Sequence, residues 1–207
     1  MKFLHFADLH LDTKFDSLSQ IDGLPEKRRL EQRKILRQII NYIKENDIQL
    51  LLISGDLYEQ KYIRKSSIEY INNLFKEIPE TKIFIAPGNH DPYIANSFYA
   101  SFDWNENVYI FKDHIEKIDY KNIHIYGYGF TDYYCRESEV ENIEIQNPED
   151  INILITHGAL DGGTEEFREY NPLRETRLKK IGFDYIALGH IHKPYYKEEK
   201  DQRIVYP

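Results

Sequence analysis

Five apolar stretches of this chain each end in a short polar segment that contains histidine, aspartate or asparagine. The clearest case is residues 82–86, which run into Pro87-Gly88-Asn89-His90-Asp91. A short apolar run bounded by turn residues predicts a buried strand, and Pro92 cannot continue a ladder after it. The three polar side chains are therefore predicted at the carboxyl end of a strand, where open α/β sheets place their sites. By itself the segment fits a plain polar turn equally well.

Four other apolar runs end in the same way. They cover residues 2–7, 49–54, 151–155 and 183–188, and the segments that follow them are Asp8-Leu9-His10, Gly55-Asp56, Thr156-His157-Gly158 and Gly189-His190-Ile191-His192. Alternate residues of an extended segment point to the same side, so the Asp-x-His pair can reach one ion together, and the His-x-His pair presents two imidazoles to one side. Parallel strands would bring all five ends to one edge of the sheet.

The segments between these runs predict an α/β fold. Residues 25–46 carry an apolar stripe with a period near 3.6 after Pro25, and residues 64–78 predict a second helix. The order up to residue 86 is thus βαβαβ, which is typical of a parallel sheet with helices on both faces.

The spacing changes after residue 107. Three short β runs follow without helices between them, which predicts an antiparallel portion or a second sheet; they cover residues 108–111, 115–118 and 123–126. Residues 131–150 are charged and poorly periodic, and we expect a surface excursion there. Residues 173–180 predict a short helix.

Composition limits the class of protein. At 207 residues, with 41% apolar and 30% charged residues, the chain predicts one soluble globular domain with a substantial core. The single cysteine excludes an intramolecular disulfide and a cysteine zinc cage. No apolar run is long enough to span a bilayer, and the first six residues enter a strand pattern rather than a signal peptide. We therefore expect a cytoplasmic protein without membrane contact.

The net charge of −8 weighs against a free-standing nucleic-acid binder. This argument from net charge is weak, because a carboxylate-rich metal site adds negative charge that bound cations offset locally. Lys61, Arg64 and Lys65 follow the Asp56 segment and can meet a DNA backbone, although the solvated start of a helix explains them as well.

The strand-end donors are too numerous for one ion. Seven of them, one bridging, would supply four to each of two ions: Asp8, His10, Asp56, Asn89, His157, His190 and His192. Mixed oxygen and imidazole donors suit Mn, Fe or Zn better than Ca or Mg, and we expect two divalent ions per chain, with Mn the first choice. Two such ions can hold a phosphate ester for in-line attack and generate hydroxide at neutral pH.

Taken together, the five segments resemble the calcineurin-like metallophosphoesterase superfamily. Its pattern is Asp-x-His, Gly-Asp, Gly-Asn-His-Asp, His-Gly and Gly-His-x-His, and these blocks stand in that order between residues 8 and 192. Within the superfamily the chain is similar to the SbcD and YhaO branch of DNA repair nucleases, through residues 6–12, 88–92, 104–108 and 182–192. The resemblance implies a four-layer α/β/β/α sandwich.

The resemblance also implies how the residues divide their roles. One ion would be held by Asp8, His10, Asp56 and His192, and the other by Asp56, Asn89, His157 and His190, so that Asp56 bridges. His90 would be the general acid or transition-state donor beside the leaving oxygen, with Asp91 as a supporting partner. Some relatives have a histidine three residues after the bridging aspartate. This chain has Glu59 there, and the resemblance assigns that position no role.

The function implied is a metal-dependent phosphodiesterase, a DNA exonuclease or endonuclease subunit of DNA repair. Its partners would be DNA and an SMC-like ATPase of the SbcC type, and a homodimer is left open. Family members continue into a DNA-facing cap and an ATPase-docking segment, so residues 1–207 are expected to be the catalytic domain, truncated before that region. The alternatives are a phosphoesterase for small nucleotides or phosphoproteins and a non-catalytic scaffold. A non-catalytic scaffold is disfavoured because scaffolds on this fold lose metal ligands or the histidine that lies off the metals, whereas this chain has all of these residues.

Overall fold

Two β-sheets pack face to face at the centre of the protein, whose computed structural model describes residues 1–161, 166–199 and 202–207. The first sheet has four parallel strands, in the spatial order Phe3–Phe6 (β1), Leu50–Ile53 (β2), Lys82–Ile85 (β3) and Val108–Ile110 (β4). The second has six, in the spatial order Glu116–Tyr120 (β5), Ile123–Tyr128 (β6), Ile151–His157 (β7), Tyr185–Gly189 (β8), Gln202–Tyr206 (β10) and Tyr195–Glu199 (β9). The outermost pairs, β5–β6 and β9–β10, are antiparallel, and the others are parallel.

Within the described ranges, four α-helices accompany the sheets: Leu24–Glu45 (α1), Lys65–Lys76 (α2), Phe98–Ser101 (α3) and Glu175–Ile181 (α4). Short 3-10 helices occupy Asp16–Leu18, Val140–Asn142 and Glu166–Glu169. Pro25 lies in the first turn of α1. Backbone N–H groups there have no acceptor within the helix, so the absence of an N–H in proline costs no hydrogen bond. Among the described residues, no helix combines the length and the apolar character that crossing a membrane requires.

Successive side chains of a strand point to opposite faces of its sheet, and the apolar ones form three buried layers. All four side chains of β2 are buried, because Leu51 and Ile53 pack under α1 and α2 while Leu50 and Leu52 face the second sheet. On its outer face the second sheet packs against α4 and the segment around Val140. The order of layers is therefore α/β/β/α, which confirms the predicted four-layer sandwich.

Two sequence predictions need correction in detail. Val108–Ile110 does not join the later short strands but adds to the first sheet, parallel to β3. The region 131–150 is more than a surface excursion, since Val140 and Ile143 are buried in the outer core of the second sheet. Both features depend on pairing or packing with distant residues, which leaves no periodicity in a short segment.

Gly127 allows the two sheets to approach each other. A Cβ atom at this position of β6 would lie 2.2 Å from the Phe111 ring, which is itself fully buried between the sheets. We expect Gly127→Ala to lower the free energy of unfolding by about 1–3 kcal/mol, the usual cost of overpacking a core. Urea unfolding would measure it. Because the clash is with one ring, adding Phe111→Leu should recover part of the loss, and an unchanged midpoint in Gly127→Ala would contradict this packing.

Candidate metal centre

The five predicted polar segments meet at one edge of the paired sheets. Short backbone hydrogen bonds join the ends of β1 and β2, where the His10 N–H donates to the Asp56 carbonyl at 2.8 Å. The two sheets are tied together at the same edge by Ser54, whose hydroxyl donates to the Ala187 carbonyl at 3.1 Å. The Ser54 carbonyl lies 2.8 Å from Nδ1 of His157. Donors from both sheets are therefore held in one place.

Gly88 and Gly189 are required by this close approach. A Cβ atom on Gly88 would lie 2.3 Å from Oδ1 of Asp56, and one on Gly189 would lie 2.0 Å from the Ser54 carbonyl oxygen. Both contacts are too short for any other side chain to fit without moving the backbone. Glycine is thus required in the Gly-Asn-His and Gly-His-x-His motifs because this edge has no room for a side chain at those positions.

Four of the predicted ligands have a left-handed backbone conformation. The φ angles are 56° at Asp8, 48° at His10, 53° at Asp56 and 107° at His190. Such values are uncommon outside glycine and persist only where the surroundings enforce them, most often at functional sites.

One group of donors is formed by Asp8, His10 and His192. The Nε2 atoms of His10 and His192 are 3.1 Å apart, and Oδ1 of Asp8 lies 3.8 Å from Nε2 of His192. His10 Nε2 is also 3.6 Å from Oδ2 of Asp56. His192 belongs to this group although its side chain is 63% exposed.

A second group surrounds the other side of Asp56. Oδ2 of Asp56 is 3.4 Å from Nε2 of His157, and Oδ1 of Asn89 lies 3.0 Å from that nitrogen and 3.2 Å from Nδ1 of His190. Donors placed about 2.0–2.2 Å from a transition-metal ion are separated by similar distances. Both groups therefore fit a divalent ion by spacing and by chemistry, and Asp56 contacts both.

Burial and charge prepare these groups for a cation. Burial lowers the pKa of His10 and that of His190 to about 4 each, so both imidazoles are neutral at pH 7 and keep a lone pair for a metal. Burial also lowers the pKa of His157, but the attraction of Asp56 outweighs it and raises this pKa to about 9. Asp56 attracts both a proton on His157 and a metal ion, and His157 must lose that proton before it can bind the metal. Metal binding should therefore weaken as the pH falls.

Asp91 is fully buried beneath the ligands. Its carboxylate accepts hydrogen bonds from the N–H groups of Asp56, Leu57 and Gly88 at 2.7–2.9 Å and from the Tyr99 hydroxyl at 2.7 Å. It has no access to a substrate. The sequence analysis expected Asp91 to be a supporting partner of the catalytic residues, and its hydrogen bonds tie together the segments that follow β2 and β3.

His90 lies at the mouth of the site, with its side chain 44% exposed. Its Nδ1 is 2.7 Å from a carboxylate oxygen of Glu59, and this hydrogen bond raises the pKa of His90. Its backbone N–H donates to Oδ1 of Asp56 at 2.9 Å. His90 also lies near enough to His10 and Asp56 to share an ion with them. The hydrogen bond between Glu59 and His90 was not predicted from the sequence, although the position of Glu59, three residues after Asp56, was noted there.

The family model for calcineurin-like phosphoesterases matches residues 1–194. The chain belongs to the calcineurin-like phosphoesterase family. It is 28% identical over 217 residues to the uncharacterized metallophosphoesterase YhaO of Bacillus subtilis, covering 100% of this chain and 52% of YhaO. It is 27% identical over 231 residues to SbcD, a subunit of the nuclease SbcCD of Staphylococcus epidermidis, covering 94% of this chain and 58% of that protein. The chain thus spans little more than half the length of these relatives.

Among solved structures, the phosphopantetheinyl hydrolase PptH of Mycobacterium tuberculosis is similar over 99% of this chain and 88% of its own, with 10% identity and a TM-score of 0.48. The family match and the two relatives confirm the predicted superfamily and its SbcD and YhaO branch. Metal-dependent hydrolysis of phosphate esters is the chemistry of this phosphoesterase family. Action on DNA, a role in repair, the identity of the metal and a cytoplasmic location remain predictions.

A basic cleft is lined by residues that follow His10 and Glu59 closely in the chain. Its volume is about 740 Å³, and its charged lining residues are Lys14, Arg29, Arg33, Lys61, Arg64, Asp12 and Glu26. Asp12 and Glu26 pair with Arg33 and Arg29. The remaining cations, Lys14, Lys61 and Arg64, have no carboxylate partner among the described residues.

The backbone connects this cleft to the ligands. Thr13 N–H donates to the His10 carbonyl, and Tyr62 N–H donates to the Glu59 carbonyl. The structure thus brings two of the three predicted DNA-binding residues, Lys61 and Arg64, into the cleft. Lys65 is not part of its lining, and its ammonium lies 3.8 Å from Glu69.

Because Asp56 contacts both donor groups and His192 only one, the two residues should differ in effect on metal binding. We expect Asp56→Ala to abolish Mn binding at both groups and His192→Ala to weaken it at one. Calorimetric titration with Mn, combined with elemental analysis, measures both stoichiometry and affinity. Asp16→Ala, which removes an exposed carboxylate outside the donor groups, is the control. A single ion per chain that survives Asp56→Ala would contradict the shared ligand.

Proposed function

We propose that this chain is the catalytic domain of a two-metal phosphodiesterase that cleaves DNA as the nuclease subunit of a repair complex. The observation that carries the proposal is the pair of donor groups that share Asp56, together with a cleft whose Lys14, Lys61 and Arg64 have no carboxylate partner in the described part of the chain. The similarity to the SbcD component of a nuclease supports a DNA substrate. An SMC-like ATPase of the SbcC type is the partner proposed for the whole protein.

The residues divide the work between two ions. Asp8, His10 and His192 would hold one ion, Asn89, His157 and His190 would hold the other, and Asp56 would be shared by the two. Mn is the first choice, with Fe and Zn as alternatives, because the donors mix oxygen and imidazole. A bound pair of ions supplies hydroxide at neutral pH and neutralises charge on the phosphate.

His90 supplies the proton to the leaving oxygen. Glu59 accepts a hydrogen bond from Nδ1, which fixes the ring and leaves Nε2 as the atom that donates toward the substrate. The pKa of His90 is raised by Glu59, so the ring keeps its proton closer to neutral pH. Asp91 acts indirectly, because its four hydrogen bonds set the positions of Asp56 and of the segment that carries Asn89 and His90.

The cleft accounts for DNA binding despite the net charge of −8. Phosphate contacts dominate affinity for nucleic acids, and they depend on local lysine and arginine rather than on the total charge. Lys14, Lys61 and Arg64 lie within one cleft that begins at the loops of His10 and Glu59. A strand held there would place a neighbouring phosphodiester at the ions.

We expect His90→Ala to keep its metal ions and its fold but to turn over roughly 10²- to 10⁴-fold more slowly, the usual worth of a placed general acid. Glu59→Gln should keep the ring in place but remove the charge that raises the pKa of His90. An acid must stay protonated to act, so the alkaline limb of the pH–rate profile should move to lower pH. Loss of metal in His90→Ala would make His90 a ligand instead, and an unmoved alkaline limb would remove Glu59 from the mechanism.

We expect the Mn-loaded protein to cleave end-labelled single-stranded DNA and an activated phosphodiester faster than a phosphomonoester. Lys61→Ala combined with Arg64→Ala should raise the KM for DNA and flatten its salt dependence. If each residue contacts one phosphate, the slope of log KM against log salt should fall by about 1.4, or about 0.7 per contact on a single strand.

Lys65→Ala is the matched control, because Lys65 lies outside the cleft and beside Glu69. An equal effect of Lys65→Ala would remove the cleft from DNA binding. A strong preference for monoesters, with no DNA cleavage at low salt, would instead favour a phosphatase for small nucleotides or phosphoproteins.

A further inference from the structure

A stack of aromatic rings extends outward from the metal centre on the side of the second sheet. The Tyr170 ring lies 4.8 Å from the His190 ring, tilted by 40°. The Tyr134 ring lies 5.8 Å from Tyr170, with the two planes only 27° apart. Tyr134 is therefore the outer end of a stack whose inner end is a predicted metal ligand.

Backbone hydrogen bonds hold the stack in place. The N–H of Cys135, next to Tyr134, donates to the Glu169 carbonyl at 2.7 Å, and the N–H of Asn171, next to Tyr170, donates to the Cys135 carbonyl at 2.6 Å. The Asn171 side chain in turn donates to the carbonyl of His157 at 2.7 Å. Both tyrosines are thus fixed relative to the ligands His157 and His190.

The outer ring is partly open to solvent, and the cation beside it already has a carboxylate partner. Tyr134 is 48% exposed, and Arg136 places its guanidinium carbon 5.4 Å from the Tyr134 ring centre while its Nη2 lies 3.2 Å from a carboxylate oxygen of Glu169. Because Glu169 offsets the charge of Arg136, the feature left for a ligand is the flat aromatic ring of Tyr134. A nucleobase has the complementary chemistry, because every base has a flat π face that stacks on an aromatic side chain.

We propose that Tyr134 forms a subsite that stacks one nucleobase of a single-stranded nucleic acid. The inference rests on the proposed function, because it assigns the phosphodiester at the ions to a nucleotide chain. The subsite lies on the side of the second sheet, whereas the basic cleft begins at loops of the first sheet. The ions therefore lie between a surface that binds bases and a cleft that binds phosphates.

The position of the stack favours a base over other flat groups. Tyr134 lies two ring spacings from His190, so a base near the scissile phosphate, rather than a remote one, is within its reach. A phosphopeptide has no obligatory aromatic group next to its phosphate, and a simple phosphomonoester has none. The subsite would therefore select nucleotidic esters.

The test measures binding separately from cleavage. Fluorescence anisotropy would give the Kd of the Mn-loaded protein for a labelled single-stranded oligonucleotide with cleavage-resistant phosphorothioate links. A second oligonucleotide of the same length would have abasic sites in place of nucleosides. Base–aromatic stacking predicts that Tyr134→Leu weakens binding of the base-containing strand by roughly 5- to 100-fold. On the abasic strand the same substitution should change Kd by far less.

Two variants serve as controls. Tyr134→Phe keeps the ring and should bind like the unchanged protein. Tyr133→Leu removes the neighbouring tyrosine, which is 45% exposed and has no ring stacked on it within the described part of the chain, and should leave both Kd values unchanged. Metal content, measured in each variant, reports whether the stack also supports His190.

Several outcomes would overturn the subsite. They are equal loss on both strands in Tyr134→Leu, loss of metal in that variant together with the loss of binding, no effect of the substitution, or no binding of either strand by the unchanged protein. The proposed function is judged separately by Mn-dependent cleavage of ordinary DNA. Base-dependent binding without cleavage would keep the subsite and reject the nuclease, whereas cleavage that ignores Tyr134 would do the reverse.

Discussion

The geometry of the metal centre depends on one buried carboxylate. Asp91 has no contact with solvent, yet it accepts hydrogen bonds from three backbone N–H groups and one hydroxyl. Burying a charge is costly unless it is fully hydrogen-bonded, so these donors are held tightly around it. Because they belong to the segments after β2 and β3, the same carboxylate fixes Asp56, Asn89 and His90 relative to one another. A site built from loops thereby gains the rigidity of the sheet beneath it.

Crowding enforces the remaining geometry. The carboxyl edges of the two sheets are so close that Gly88 and Gly189 have no room for a side chain, and four ligands adopt left-handed backbone conformations. These residues turn their side chains toward one space at a cost in backbone strain of about 1–3 kcal/mol each. The buried layers under α1 and α2 and between the sheets stabilise the fold enough to support it.

The convergence of the predicted metal donors could be anticipated from sequence because each of them lies at the end of a strand or a few residues after it. An apolar run, a glycine or polar break and a donor form a local pattern, and the parallel order of the strands brings the donors together. The position of β4 in the first sheet could not be predicted in this way, since a run of three residues carries too little pattern to choose between the two sheets. The burial of Val140 and Ile143 depends on packing against distant α4. The same limit applies to the pair of Glu59 and His90 and to the stack of Tyr134 on Tyr170, because each joins residues about thirty positions apart on two neighbouring loops.

The two donor groups draw on both halves of the chain, and this affects the order in which the site is made. Asp8, His10, Asp56 and Asn89 come from the first sheet, whereas His157, His190 and His192 come from the second. During synthesis the first four emerge early and have no complete site to form. One group is complete only with His192 and the other only with His157 and His190, so neither set of donors is complete until the two sheets have packed on each other.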